Sequence, residues 1–247
     1  NSGANLALSG AEIVSSTASS GGAVANLGVA TIGNSVLRGN SAVAGGAVAN
    51  AVGMTLTITN TTFISNIASG GVLGGTGGGV NNAGRVTIEN ATFTANRAGQ
   101  GAALYQTQGT AILRHVTVAS NTGTTAGGGI YAIGGTTSLA NSLFAANGTG
   151  VGASVGGTGG ITIGGGNLCW PTGTCNVTPA ITYADPLLGT LGAYVGTTPV
   201  LPLLPGSNAI DAGTSGNCLA TDQRGVARTP ATCDSGAFEA RGFSVTL

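Results

Sequence analysis

Residues Gly77–Asn96, GGGVNNAGRVTIENATFTAN, show the pattern from which the fold can be inferred. This stretch contains a glycine cluster, a short apolar strand, a glycine corner, a second strand that ends in Asn, and a third strand closed by another Asn six residues later. The same order of residue types recurs from near the N-terminus to about residue 150. Such a pattern at a nearly fixed period indicates stacked structural repeats.

Five copies of this unit can be laid over one another. The Asn before the third strand, once replaced by His, is Asn34, Asn60, Asn90, His115 and Asn141, at steps of 26, 30, 25 and 26 residues. The Asn after that strand is Asn40, Asn66, Asn96, Asn121 and Asn147. The apolar columns are Leu37, Phe63, Phe93, Val118 and Phe144; Ile32, Ile58, Ile88, Leu113 and Leu139; and Val24, Val48, Val80, Leu104 and Ile130. An earlier and weaker copy contains Gly10, Ile13 and Ser16.

The period and the strand composition select the fold. The repeat is too short for helix pairs, and its strands alternate Val, Ile and Thr, as in residues 56–59 and 86–89. We predict an all-β protein, a right-handed parallel β-helix with three strands per coil and about six or seven coils. The apolar columns would fill its interior, and the Asn columns would hydrogen bond from coil to coil at the corners. We expect His115, which replaces an Asn, to have the same structural role.

Composition excludes several classes of function. Of the 247 residues, 42% are hydrophobic and only 6% are charged, against about 25% charged residues in ordinary soluble domains. The net charge is zero and there is no basic cluster, so nucleic acid is not an expected partner. No run of about 20 apolar residues is present, so membrane insertion is not expected either.

The four cysteines form two local couples, and each couple brackets a turn-rich segment. Among the three connectivities that four cysteines allow, we therefore predict Cys169–Cys175 and Cys218–Cys233. A zinc site is not expected, because the single His lies far away in the repeat region. Disulfides indicate an oxidising compartment, so the predicted location is extracellular or on a cell surface.

The chain divides into three parts. Residues 1–168 are predicted to form the coils, residues 169–240 an irregular cap over the C-terminal end of the solenoid, and residues 241–247 the opening of a following segment. All seven prolines and all four cysteines lie in the cap region. No helix precedes the first coil to cover its edge, so we expect that the natural chain begins earlier or that this end stacks on another molecule.

Four motifs of the cap occur in a recognisable order. They are Asp-Pro-Leu-Leu-Gly (185–189), Leu-Leu-Pro-Gly-Ser-Asn-Ala-Ile-Asp-Ala-Gly (203–213), Thr-Asp-Gln-Arg-Gly-Val-Ala-Arg (221–228) and Cys-Asp-Ser-Gly-Ala-Phe-Glu (233–239). Together they resemble the terminal region of bacterial surface β-helix proteins of the choice-of-anchor Q type, which are related to polymorphic outer-membrane-protein-like repeats. The resemblance implies the fold and an extracellular setting, and it is much less specific for activity.

Five of the seven acidic residues of the chain lie in the cap, and the charges there are expected to pair. The predicted cluster contains Asp211, Asp222, Arg224, Asp234 and Glu239, with Arg224 as the hub for the carboxylates. A calcium site is the alternative, but the acids lack the alternating-oxygen spacing of a calcium loop, so no cofactor is predicted.

The coils carry little chemistry. Their acids, Glu12 and Glu89, lie three coils apart, about 14 Å at ~4.8 Å per coil, which is too far for a pair of catalytic carboxylates. Arg85, Arg97 and Arg114 are expected to lack acidic partners. The sequence therefore predicts a protein that is not an enzyme.

The predicted function is a structural or adhesive β-solenoid module of a bacterial surface protein. One alternative is a subunit that stacks end to end into an extracellular filament, and another is a protein that binds or cleaves polysaccharide. Tyr105 and Tyr131 are expected to stack in adjacent coils, point outwards and form an aromatic platform for a sugar ring, although they could simply cover the surface. The expected partners are therefore a second copy of the chain or an extracellular polysaccharide.

Overall fold

The computed structural model describes residues 3–72, 74–148, 154–177 and 181–241. In these ranges the chain forms a parallel β-solenoid of about 6 turns, followed by an irregular segment that contains one 3₁₀ turn, Ser215–Asn217. The predicted fold class is confirmed. The residues that open the following segment, from 242 onwards, lie outside the described ranges.

Each turn contributes strands to three faces, and each strand pairs in parallel with its counterpart in the next turn. Face 1 contains Asn5–Ser9, Val29–Gly33, Thr55–Thr59, Thr136–Ala140, Gly160–Ile163 and the first halves of Arg85–Thr94 and Thr110–Ala119. Face 2 contains Glu12–Val14, Val36–Arg38, Thr62–Ile64, Leu143–Ala145, Leu168–Trp170, Thr182–Tyr183 and the second halves of the same two long strands. Face 3 contains a four-stranded sheet, Ser41–Ala42, Ile67–Ala68, Arg97–Gln100 and Thr122–Ala126, and a six-stranded sheet, Val24–Asn26, Val48–Asn50, Val80–Asn82, Leu104–Gln106, Ile130–Ala132 and Val155–Gly157.

The three apolar columns fill the interior as predicted. Register places Phe63 opposite Phe93, Ile58 opposite Ile88, and corresponding residues opposite one another in the other turns. The rings of Phe63 and Phe93 stack with centroids 4.4 Å apart and planes 4° apart. The weak first copy is also a true turn, because Ile13 pairs with Leu37. Alternation along each strand sends every second side chain inwards, so a face 1 strand contributes two core residues, such as Val86 and Ile88.

Glycine pairs make the corner within face 3. Gly45 has a φ of 66°, in the left-handed region that favours glycine. A Cβ on the adjacent Gly46 would lie 2.4 Å from the carbonyl oxygen of Gly78 in the next turn, so only a residue without a side chain fits there. Glycine is therefore required at this tight corner within face 3.

Residues 168–177 and 181–183 close the C-terminal end of the solenoid. Cys169 pairs with Phe144 and is fully buried, while Cys175 forms a bridge with Val155. Tyr183 pairs with Cys169 as the last strand of face 2. This part of the chain behaves as the predicted cap, and its first strand belongs to the regular stack.

Residues 185–241, here called the lateral segment, do not lie over the end. They run back along the outside of face 2, where Pro199 accepts a hydrogen bond from Thr62, and Ala237 donates one to Thr117. Leu203 packs with Leu168 in a second apolar cluster outside the coils. The expected position of the cap is therefore wrong for this segment. Face 2 presents small hydroxyl and apolar side chains outwards, and these pack against the segment instead of facing solvent.

Candidate functional site

The second Asn column forms a continuous buried ladder. Each Nδ2 donates to the Oδ1 of the next Asn, at 3.0, 3.0, 2.9 and 3.0 Å from Asn40 to Asn147. Each interior member also binds the backbone of its neighbours: Asn96 Nδ2 donates to the carbonyl of Phe63, and Asn96 Oδ1 accepts the backbone N–H of Asn66. One side chain thus joins three turns, which satisfies buried backbone groups that have left the strands at the corner.

A second buried ladder was not predicted. The Nδ2 of Asn26, Asn50 and Asn82 each donates to the next member, at 2.7, 2.6 and 2.7 Å, and the ladder ends at the acceptor Gln106 Oε1. They follow the third apolar column by two residues, as in Val-Ala-Asn at 24–26 and 48–50. The sequence therefore contained a column of Asn residues, but its continuation as Gln106 and then Ala132 made the pattern harder to recognise. Face 3 is tied to face 1 by this ladder.

The first Asn column has a different role. Its five members all have left-handed φ values, between 48° and 52°, and Asn tolerates this region better than most residues. Among the described residues two rungs form, between Asn60 and Asn34 and between Asn141 and His115. Asn90 instead contacts the lateral segment, since it donates to the carbonyl of Thr221. The expected ladder is therefore interrupted at Asn90, because the corner contacts the segment there.

His115 lies where the first column meets the lateral segment. It is fully buried, with Nε2 3.1 Å from Asn141 Nδ2 and 3.2 Å from the carbonyl oxygen of Asn217. Burial, together with the charge of Arg228, lowers the pKa of His115 to about 3. The imidazole is therefore neutral and packs between the coil and the segment, as expected for a structural residue.

The charges of the lateral segment form two linked ion pairs. Asp222 accepts hydrogen bonds from Arg224 Nη2 at 2.6 Å and from the backbone N–H of Glu239 at 3.0 Å. Arg224 also lies 3.6 Å from the ring centroid of Phe238. Arg228 is the more deeply buried arginine of the two pairs, and its role was not predicted from the sequence.

Arg228 connects the segment to the coils. Its Nη1 donates to Glu239 Oε2 at 2.9 Å, and its Nη2 donates to Asn90 Oδ1 at 3.2 Å. The side chain is fully buried. Arg224 is thus only one of two hubs, and Arg228 alone reaches the solenoid. A planar guanidinium suits this position because it donates in several fixed directions at once.

Asp234 and Asp211 occupy the edge of this cluster. Burial raises the pKa of Asp234 to about 6, although the N–H groups of Asp211 and Ala240 donate to its carboxylate and oppose the shift. Asp211 is exposed and joins through its backbone, so it is not part of the buried pairing. Among the described residues, no three His, Cys, Asp or Glu side chains are arranged to hold a metal ion.

The acids of the coils are paired with arginines of the next turn. Glu12 accepts from Arg38 at 2.6 Å, and Glu89 pairs with Arg114, which lies directly opposite it in the sheet register. The expectation that Arg114 lacks an acidic partner is therefore wrong. Arg85 and Arg97 form no ion pair within the described ranges, and the side chains of both are exposed.

The tyrosine pair stacks but does not form an open platform. Tyr105 and Tyr131 occupy opposed positions in adjacent turns, with ring centroids 6.4 Å apart and planes 15° apart. Tyr105 is only 4% exposed, because it lies in register between Tyr131 and Asn81. Burial, and then proximity to Tyr131, raise the pKa of Tyr105. Tyr105 points outwards between the inward Leu104 and Gln106, but it is covered, so the expectation of an open platform is wrong. Tyr131 is half-buried.

No family model, curated protein or solved structure matches this chain. The resemblance to the choice-of-anchor Q family stays a prediction. Both predicted disulfides form, Cys169–Cys175 and Cys218–Cys233, with Cα atoms 6.4 and 6.0 Å apart. Two structural disulfides are typical of a protein that folds outside the reducing cytoplasm. Within the described residues there is no helix long and apolar enough to cross a membrane.

Proposed function

We propose that this protein is a non-catalytic structural and adhesive module that acts outside the cell, on a bacterial surface. The proposal rests on the hydrogen bonds that the buried Asn and Gln side chains form inside the solenoid. Both buried amide ladders link one turn to the next over most of the solenoid, from Asn40 to Asn147 and from Asn26 to Gln106. Side-chain networks of this kind rigidify a structure when every member is satisfied.

The lateral segment adds to this rigidity. It contacts turns from Asn60 to Gly166, through the hydrogen bonds Thr198 Oγ1 to the Asn60 carbonyl and Ser235 Oγ to the Gly166 carbonyl. A disulfide, Cys218–Cys233, closes the part of the segment that contains the buried Arg228. A segment that ties distant turns together supports a role in which the module keeps its shape under load.

The charged groups favour a non-catalytic role. Four of the acids, Glu12, Glu89, Asp222 and Glu239, form ion pairs with arginines. A fifth, Asp234, is buried and accepts hydrogen bonds from two backbone N–H groups. General acids and nucleophiles need access to substrate, whereas these carboxylates are engaged in holding the chain.

Electron microscopy and analytical ultracentrifugation across a dilution series test the proposal. We expect dispersed particles at every concentration, as for a module within a larger surface protein. Ordered fibres would instead support the filament alternative, with an axial repeat of about 29 Å if about 6 turns rise ~4.8 Å each. The C-terminal motifs support the bacterial surface setting, which surface labelling of the producing cells would test directly.

A further inference from the structure

A pocket lies where the lateral segment leaves the end of the solenoid. A column of outward side chains at the ends of the face 2 strands has the register Ile64, Thr94, Ala119, Ala145 and Trp170. Its last three members, Ala119, Ala145 and Trp170, line the pocket. The side chains shorten to a methyl group at Ala119 and Ala145, so the surface of the sheet is open there. Trp170 is the first large side chain beyond this gap.

The lateral segment supplies the second wall of the pocket with Leu188 and Leu201. The space between the two walls is open to solvent on one side and measures about 260 Å³, below the roughly 300–1,000 Å³ of pockets that hold drug-sized ligands. It therefore suits one small ring and not an extended oligomer. Trp170 is 38% exposed, so part of its surface is available to a ligand.

The rim of the pocket provides a fixed acceptor. Asp185 lines the same space as Trp170, and its Oδ1 accepts the backbone N–H of Leu187 at 2.9 Å, which orients the carboxylate. No described residue donates to Asp185 Oδ2, so this oxygen can accept from a ligand. An aromatic wall, an apolar floor and a single oriented acceptor form an amphipathic site.

We infer that this pocket, here called the Trp170 pocket, binds one neutral pyranose unit of an extracellular glycan. The C–H face of a pyranose is apolar and would lie against the indole, while its hydroxyl groups donate to Asp185. The carboxylate disfavours uronic acids, because two like charges would be brought together in a partly enclosed site. This inference deepens the proposed adhesive function and rests on it for its biological meaning.

Trp170 is the only Trp in the chain, so intrinsic fluorescence reports on this pocket directly. We expect methyl β-D-glucopyranoside, methyl β-D-galactopyranoside or methyl α-D-mannopyranoside to shift the emission to shorter wavelength, with a Kd on the order of 1 mM. Sorbitol, which has hydroxyl groups but no ring, should produce no shift, and glucuronate should bind at least about fivefold more weakly because its charge opposes that of Asp185.

Three variants separate the pocket from general effects on the fold. Ala145→Ile fills the floor with the side chain that Ile64 already carries in the same column, and it should abolish the shift. Asp185→Asn keeps an oxygen for Leu187 N–H, and it should weaken neutral sugars about fivefold while removing the discrimination against glucuronate. Tyr131→Ala, on face 3, should leave the titration unchanged.

The inference is overturned if none of the three glycosides shifts the emission at a concentration about a hundredfold above the expected Kd of about 1 mM. It is equally overturned if sorbitol shifts the emission as much as the glycosides do. It is also overturned if Ala145→Ile, shown to be folded by circular dichroism, binds like the unaltered protein.

Loss of the pocket need not remove the adhesive function. If the unaltered protein is retained on insoluble polysaccharide and Ala145→Ile is retained equally, the pocket assignment fails and the proposed function stands. If no polysaccharide retains the protein, adhesion fails, while the fluorescence titration still decides the pocket.

Discussion

Replacing Asn96 with Ala should be among the most destabilising changes to a polar residue of the coils. The side chain is fully buried and makes four hydrogen bonds, to Phe63, to Asn121 and, twice, to Asn66. The Asn66 backbone N–H would lose its partner, which costs about 1–3 kcal/mol for a buried donor, and the three other lost bonds cost about 0.5–1.5 kcal/mol each. We expect a total loss of about 2.5–7.5 kcal/mol, a large part of the roughly 5–15 kcal/mol that stabilises most folded domains.

The matched control is Asn60→Gly. The Asn60 side chain makes one exposed hydrogen bond, to Asn34, and glycine is compatible with its φ of 48°. We expect a loss below about 1 kcal/mol. Both variants are measured by equilibrium urea unfolding under oxidising conditions, with far-ultraviolet circular dichroism and Trp170 fluorescence as probes. Equal losses for the two variants, or a loss below about 1 kcal/mol for Asn96→Ala, would contradict the role assigned to the buried ladder.

Three other changes test separate parts of the account. His115→Asn should remove an acid sensitivity. The pKa of His115 in the folded protein is about 3, below the ordinary 6.5, so the unaltered protein loses stability as the pH falls from 6.5 towards 3, by up to about 1.4 kcal/mol per pH unit. In urea unfolding across this range, the free energy of unfolding of the variant should depend less steeply on pH. Replacing Cys218 and Cys233 together with Ser should cost about 3 kcal/mol, from the 15-residue separation, and limited proteolysis should then cut the lateral segment first; unchanged cleavage would count against the assigned contacts. Ala95→Gly should stabilise the protein by about 0.5–1 kcal/mol because Ala95 has a φ of 56°, and a lower urea midpoint would contradict this.

The regular part of the fold could be predicted because one turn repeats the environment of the next. An inward residue such as Phe93 has the same neighbours above and below it in every turn, so the apolar columns and the Asn40–Asn147 ladder appear directly as periodic residue types. The disulfides followed from local spacing. Periodicity also has a limit: a ladder with a substitution, such as that ending in Gln106, leaves a weaker pattern and was not predicted.

The lateral segment could not be placed in the same way. It has no period, and its position depends on which outward side chains of face 2 it covers. Arg228 illustrates this, since its link to Asn90 spans 138 residues and nothing in the local sequence distinguishes it from Arg224. For Tyr105, strand alternation predicted the outward direction of the side chain correctly. Its burial was not predicted, because it depends on the neighbours in adjacent turns. Tertiary contacts of this kind override local patterns.

The most direct test of the central claim combines adhesion and catalysis in one experiment. The purified protein is incubated with a panel of insoluble neutral and acidic polysaccharides, and both the retained protein and any newly formed reducing or unsaturated ends are measured. We expect retention on at least one neutral polysaccharide, with no new ends on any member of the panel. Release of ends that increases with protein concentration, or retention on none of the polysaccharides, would contradict a non-catalytic adhesive module.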